Sequence, residues 1–420
     1  MNGNPIDPFI PFPLKEAKTS DMLHFNEFFR TQGGSVQDTN HGFVFESEFY
    51  PWFFPVAMQN PALCMSCVAM SATYTAIHGR GLVKPDAELL RIYSQCFEVL
   101  RKQIELEDSS VVSEASVVTA INLVMCSGIA FDNHRAAVAH WNGLTAMWGR
   151  FRSNLYTGPL IGFFDQLEYW LTLMMGRRFQ ESPWRTPIPR EKPLTEVYGK
   201  GFGRLFASQI MTSSMPKLLE TCLNTCRATE VLEEHLQNLP LGQDKQPGTY
   251  FYYLRAILNG QNTQVFADLS GTNTFEECIS ITINIFFVGI LRMTAWKAPV
   301  KQLCTKLRCT IAACGLVSSI SAPSSAQIDE GFSEEEESEA LMKDAYVWML
   351  FICACAAKSC CDEVSFEWCK DRLKETYIQE LSADCVGWET LLPQNLRLFC
   401  WSDKFLTRNL KDVCSSIVTD

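Results

Sequence analysis

The run from Phe45 to Trp148 constrains this chain most, because it reads as consecutive segments spaced for helix packing and carries no catalytic cluster. Between Asp86 and Glu107, Leu89, Ile92/Tyr93, Cys96/Phe97, Leu100 and Ile104 recur every three to four residues, which predicts an amphipathic helix with one apolar stripe. Asp86 and Glu88 fall in its first turn and Arg101 and Lys102 near its last, as the helix dipole favours. Ser113 is placed to cap the next helix and Gly128 to end it. Asp132 is placed to cap a third helix, which carries His140 and Gly143. Gly143, one turn from Ala139 and Met147, is expected to let a neighbouring helix approach closely.

The remainder extends the pattern. Breaks fall at the proline-rich Ser182–Pro193, the polar Leu239–Gly248 and Asn259–Asn273, and the Ser-rich then acidic Ser318–Glu339. No sustained alternation demands a sheet, and no 34-residue helical repeat emerges. The expected fold is all-α: a single large helical domain over residues 46–420, with a flexible loop at about 318–339. Residues 1–45 carry Pro, Gly and Asn with little periodicity, so they are expected to form an extended N-terminal arm holding one short helix, Met22–Phe29.

Composition narrows the classes. Hydrophobic residues at 47% and charged residues at 20% suit a protein with a large core. A net charge of −11 argues against a free-standing, nonspecific nucleic-acid binder. The chain has 18 cysteines, and Met1-Asn2-Gly3-Asn4-Pro5 lacks the marks of a secretory leader, so the thiols are expected to be reduced, in cytosol or nucleus. Cys278–Leu291 and Ala345–Ala357 are apolar but short of the roughly 18–20 residues of a spanning helix, so both are expected to be buried core helices.

The cysteine and histidine patterns fit packing better than metal binding or catalysis. Cys64 and Cys67 open a Cys-x2-Cys pair, but Tyr74 stands where a binuclear zinc cluster needs its next thiolate. Cys353, Cys355, Cys360, Cys361 and Cys369 fit no zinc spacing and sit beside Leu350, Phe351 and Ile352, which points to burial. Cys222 and Cys226 share a helix face with His235 further on, yet a further ligand is missing. His140 is either a base or, beside Trp141, a packing histidine. No nucleophile elbow, His-Glu-x-x-His or phosphate loop occurs, Gly201-Phe202-Gly203 is only a fragment of a dinucleotide loop, and no two aspartates are adjacent. No catalytic, cofactor-binding or metal-binding set is assigned.

Charge patterning gives the candidate surface. From Cys278 to Gln327 there is no acid, while Arg292, Lys297, Lys301, Lys306 and Arg308 add five positive charges. Lys297, Lys301 and Arg308 share one face if the segment is helical, a condition that Pro299 weakens. Asp329, Glu330, Glu334, Glu335, Glu336, Glu337, Glu339 and Asp344 follow. The functional reading is a basic surface for phosphate or a partner beside an acidic interaction segment; the plainer one is a solvated face followed by an acidic helix start. A second basic stretch with interleaved aromatics runs from Arg177 to Arg204.

Several segments, in order, carry a family resemblance. Asp7-Pro8-Phe9-Ile10-Pro11-Phe12-Pro13-Leu14 leads in. Tyr50-Pro51-Trp52-Phe53-Phe54-Pro55-Val56-Ala57-Met58-Gln59-Asn60-Pro61-Ala62-Leu63 opens a small-residue helix, and His140-Trp141-Asn142-Gly143-Leu144 closes a later one. Leu396-Arg397-Leu398-Phe399-Cys400-Trp401-Ser402-Asp403 stands near the end. This layout resembles the regulatory domain of fungal-specific transcription factors of the zinc-cluster class, over about residues 7–414. The segment Phe163–Trp170 departs from it, lacking the acid expected after the aromatic–Trp step. The resemblance implies a nuclear, non-enzymatic regulator of a fungal gene cluster, for secondary metabolism such as trichothecene synthesis. Without a zinc cluster of its own it would work through a DNA-binding transcription factor or other promoter-bound protein, as a possible homodimer, with no cofactor and no membrane; direct DNA contact stays open. The alternative is a helical interaction scaffold or an all-α enzyme of secondary metabolism.

Overall fold

The computed structural model describes residues 13–14, 17–32, 54–107, 112–148, 150, 167–168, 170–175, 202, 204–205, 211, 215, 265–272, 274–286, 297–315, 334–381, 396, 399 and 413–416. Among these the regular elements are helices, with no strand, so the fold is all-α. Contacts divide the chain into two compact units where the sequence suggests one domain: Met1–Met174 with Asp244–Tyr250, and Met175–Gln243 with Phe251–Asp420.

The first unit is organised around a helix of small residues. Helices α1 (Thr19–Gln32), α2 (Pro61–Tyr74), α3 (Ala87–Leu106), α4 (Glu114–Leu123) and α5 (His134–Trp148) follow in order. Asn60 starts α2 by accepting the Leu63 amide at 2.9 Å, and Pro61 occupies the first turn, where its missing N–H costs nothing. Residues Ala62 to Ala69 are all buried, and α1, α3 and α4 each pack on α2. Alanine, serine and cysteine leave room for that, and two of the buried hydroxyls bond within the helix: Ser66 donates to the Leu63 carbonyl at 2.8 Å and Thr73 to that of Ala69 at 2.6 Å. Asn122 on α4 donates to Ser66 at 2.9 Å, and Tyr93 Oη on α3 lies 2.7 Å from Thr73 Oγ1.

Helix α3 keeps the bounds its periodicity predicts. Asp86 caps it by accepting the Leu89 amide at 3.0 Å, and Leu89, Ile92, Tyr93, Cys96 and Leu100 form the buried stripe. Ser113 caps α4 as expected, accepting the Ser116 amide at 3.2 Å. Two expectations change. Gly128 does not end α4: the helix runs on as a wider π-helical turn, Val124–Ile129, with Gly128 inside it. There a Cβ would lie 2.7 Å from Ala137 Cα, so Gly128 is where α5 crosses closely, whereas a Cβ on Gly143 would meet open space. The cap of α5 also moves by one residue. Asn133 Oδ1 accepts the Ala136 amide at 3.1 Å, while Asp132 takes a left-handed φ of 56° and contacts His134 Nε2 at 2.7 Å.

Part of the N-terminal arm is docked rather than extended. Phe25 and Phe28 of α1 are buried, and α1 packs on α2. Asp21, 2% exposed, accepts the Lys18 amide at 3.0 Å and Arg91 Nη2 at 2.9 Å. Arg91 also binds Glu88 at 2.7 Å, so α1 and α3 are joined through a nearly buried carboxylate.

The second unit contains α6 (Phe275–Ile285), α7 (Lys297–Cys314), α8 (Glu334–Cys360) and α9 (Glu363–Leu381). Thr274 caps α6 by accepting the Glu277 amide at 3.2 Å, and Glu276 to Ile285 are buried on every side. Ala345–Ala357 of α8 is buried throughout, as expected, and so is the apolar run from Cys278 as far as Phe286; residues 287–291 lie outside the described residues. Within α8, Ser338–Cys360 is long and apolar enough by length and composition to cross a membrane, but its most apolar part lies almost wholly inside the fold. Helices α6, α7 and α9 all pack on or around α8. Trp348 completes a cluster with Phe202 and Phe399, at centroid distances of 5.5 and 5.7 Å.

Candidate interaction surface

Helix α7 brings the predicted basic residues onto one element and then separates them. Pro299 falls in its first turn, where proline is tolerated, so the helix forms from Lys297 onward. Lys297, Lys301 and Arg308 are four and seven residues apart, which keeps them on one face at 3.6 residues per turn. Lys301 is exposed and Arg308 half-buried. Arg292 lies outside the described residues, as do the side chains of Lys297 and of Glu334, Glu335, Glu336 and Glu337. The backbone of the last four opens α8, where acids complement the positive end of the helix.

Lys306 belongs to another environment. It lies nine residues from Lys297, about two and a half turns, and so on the opposite side of the helix. Its Nζ donates to Ser270 Oγ at 2.6 Å, sits 3.4 Å from Glu277 Oε1, and stands 4.3 Å above the Phe266 ring. Glu277 is 2% exposed and also accepts the Gly271 amide at 2.8 Å. Burial lowers the Lys306 pKa and the nearby Glu277 carboxylate opposes that shift. The pair ties α7 to the start of α6, an internal role that the sequence does not distinguish from a surface one.

Most of the described cysteines sit in the cores, but Cys361, which its apolar neighbours suggest is buried, is exposed, as is Cys309. Cys64 and Cys67 are enclosed within α2, and burial raises both thiols. Cys304 on α7, Cys353 and Cys360 on α8 and Cys369 on α9 converge in the second unit. Hydrogen bonds from Cys304 and Cys369 lower the Cys353 thiol; Cys304 is raised by those it makes to Cys353 and Cys360, and Cys369 by burial. No group of three or more His, Cys, Asp or Glu among the described residues is arranged to hold a metal ion. Cys222, Cys226 and His235 fall outside the described residues.

His140 is half-buried on α5 and stacks on Phe97 of α3, with centroids 4.7 Å apart and planes at 23°. Burial lowers its pKa, so near neutral pH it packs as an uncharged ring. Phe202, from the Gly-Phe-Gly fragment, is a core residue against Trp348 and Phe399 rather than part of a loop that cradles phosphate. Of the second basic stretch, Arg204 is described and exposed; Arg177, Phe179, Trp184, Arg185, Arg190, Lys192, Tyr198 and Lys200 lie outside the described residues.

Comparison with protein-family models, curated proteins and solved structures found no match.

Proposed function

We propose that this chain is a nuclear regulator of transcription, acting on a fungal gene cluster for secondary metabolism as a helical body recruited by a promoter-bound partner. The observation that carries this reading is the place of α2. The aromatic–proline segment that resembles the fungal regulatory domain runs into a small-residue helix on which α1, α3 and α4 all pack. The His140–Gly143 segment lies on α5, in the order that the resemblance requires. A net charge of −11 removes the counterion-release term behind nonspecific DNA affinity, which favours recruitment over direct binding. The face offered to the partner is then that of Lys301 and Arg308 on α7.

The test is transcript profiling of a deletion strain, paired with mobility-shift assays on the affected promoters. Recruitment requires that co-regulated transcripts fall while the purified chain alone gives no sequence-specific shift. A specific complex that survives physiological salt and competitor DNA would sink the recruitment step. Altered metabolites with unaltered transcripts would instead support the enzyme alternative.

A further inference from the structure

Cys278 and Cys314 hold their sulfur atoms 3.8 Å apart, and we propose that they form a peroxide-oxidised dithiol that closes to a disulfide between α6 and α7. Cys278 lies in the first turn of α6 and is buried, whereas Cys314 is the last residue of α7 and half-buried. The two helices pack directly on each other. A disulfide holds its sulfurs at about 2.05 Å, so the pair must close by about 1.8 Å. The position of Cys314 favours that movement. Gly315 follows it at a φ of 67°, so the helix stops there and no further turn resists a change in the Cys314 rotamer.

The difference in burial assigns the two roles. Cys314, half-buried at the end of α7, is the more open of the two to a small oxidant. Its thiolate attacks one oxygen of hydrogen peroxide; the S–O bond forms, the O–O bond breaks, and the departing hydroxide takes up a proton to leave as water. Cys278 keeps its proton longer, because its hydrogen bond with Cys314 and then its burial both raise the thiol. Its sulfur next attacks the Cys314 sulfenic acid; the S–S bond forms, the S–O bond breaks, and the hydroxyl leaves with the Cys278 proton as a second water. Two thiols and one peroxide give one disulfide and two waters, a two-electron oxidation.

Cys304, Cys353, Cys360 and Cys369 are buried in the core, out of an oxidant's path, while Cys309 and Cys361 are exposed. Glu277, next to Cys278, is already tied to Lys306 of α7. The disulfide therefore adds a covalent link to a contact that is already formed, and oxidation should stiffen it rather than rearrange it.

The experiment treats the full reduced chain with one equivalent of hydrogen peroxide and maps its peptides without reduction. The expected product is a Cys278–Cys314 linked peptide that has lost two hydrogens, is reversed by dithiothreitol, and is accompanied by a rise of a few degrees in Tm. Cys314→Ser should show neither the link nor the rise. Cys278→Ala should leave Cys314 as a sulfenic acid that dimedone traps. Mapping of the unsubstituted chain decides the matter even if a variant misfolds. Recovery of both cysteines as alkylatable thiols, or a link from either one to Cys309 or Cys361, would overturn the proposal.

Discussion

Helix α3 presents one buried stripe to its unit, whereas α8 is buried on every side from Ala345 to Ala357. In α3 the apolar residues are spaced at three and four, and Leu90, Arg101, Lys102 and Glu105 project outward. A sequence of that kind states where the helix begins, which side faces inward and where it stops. In α8 there is no such side, because α6, α7 and α9 enclose the helix. Its sequence states that it is buried but says nothing about which neighbour covers which residue. Helix α3 thus writes its orientation into its pattern, and α8 leaves its own to packing between helices.

The largest effect should come from the enclosed region. Trp348 is fully buried and meets Phe202 edge-on, with planes at 88° and centroids 5.5 Å apart, and Phe399 at 5.7 Å. Trp348→Ala removes a large ring from a site closed by neighbours and should cost about 3–5 kcal/mol. Urea unfolding of the purified chain measures this. A loss under about 1 kcal/mol would mean that the second unit can collapse around the gap and is less tightly enclosed than α8 suggests.

Next come the two glycines, whose roles the sequence reverses. Both stand in helical segments, and nothing in either local sequence shows which one a neighbouring helix touches. Gly128 has Ala137 Cα at 2.7 Å from its hypothetical Cβ, while Gly143 has nothing within 4 Å. Gly128→Ala should cost about 1–3 kcal/mol by pushing α5 away. Gly143→Ala should instead add up to about 1 kcal/mol, since alanine is the better helix former. Equal effects at the two positions would place the close approach elsewhere.

What the sequence revealed follows the same division. Caps and stripes depend on residues near in sequence, so Asp86, Ser113 and the stripe from Leu89 to Leu100 were legible. The shift of the α5 cap from Asp132 to Asn133 turned on backbone geometry, because Asp132 adopts a positive φ. Docking of α1 through Asp21 and Arg91 joins residues 70 positions apart, beyond any local pattern. The candidate site divided likewise. Helical spacing placed Lys297, Lys301 and Arg308 together, but the partner that draws Lys306 inward, Glu277, lies on another helix.

A moderate effect is expected at the α3 cap. The Leu89 amide, which donates to the Asp86 carboxylate, holds its pKa below the ordinary value, with Arg80 at 2.6 Å adding to the effect. Asp86→Ala should cost about 1 kcal/mol near neutral pH, and Asp86→Asn much less, because asparagine also caps. The sign follows from the lowered folded-state pKa. The contribution is present above the ordinary carboxylate pKa and is lost as the pH falls through the lower folded value. The gap between native protein and Asp86→Ala should therefore narrow on acidification. A gap that stays constant down to acid unfolding would assign the stabilisation to something other than the ionised cap.

The smallest effect on stability belongs to Lys301, and it bears most directly on the candidate surface. Lys301 is exposed on α7, whereas Lys306 on the far side of the same helix is held by Ser270 and Glu277. An exposed lysine gives up little when replaced, so Lys301→Glu should change unfolding free energy by no more than about 0.5 kcal/mol. If α7 offers its Lys301 face to a promoter-bound partner, the same substitution reverses a charge at that contact and should lower reporter transcription in cells. Glutamate at position 306 would instead face Glu277 and lower Tm, so loss of function there would carry no information about a surface. Lys301→Glu separates folding from docking because only the second should respond. Unchanged reporter output at equal protein abundance would remove this face from the interaction, whatever its charge.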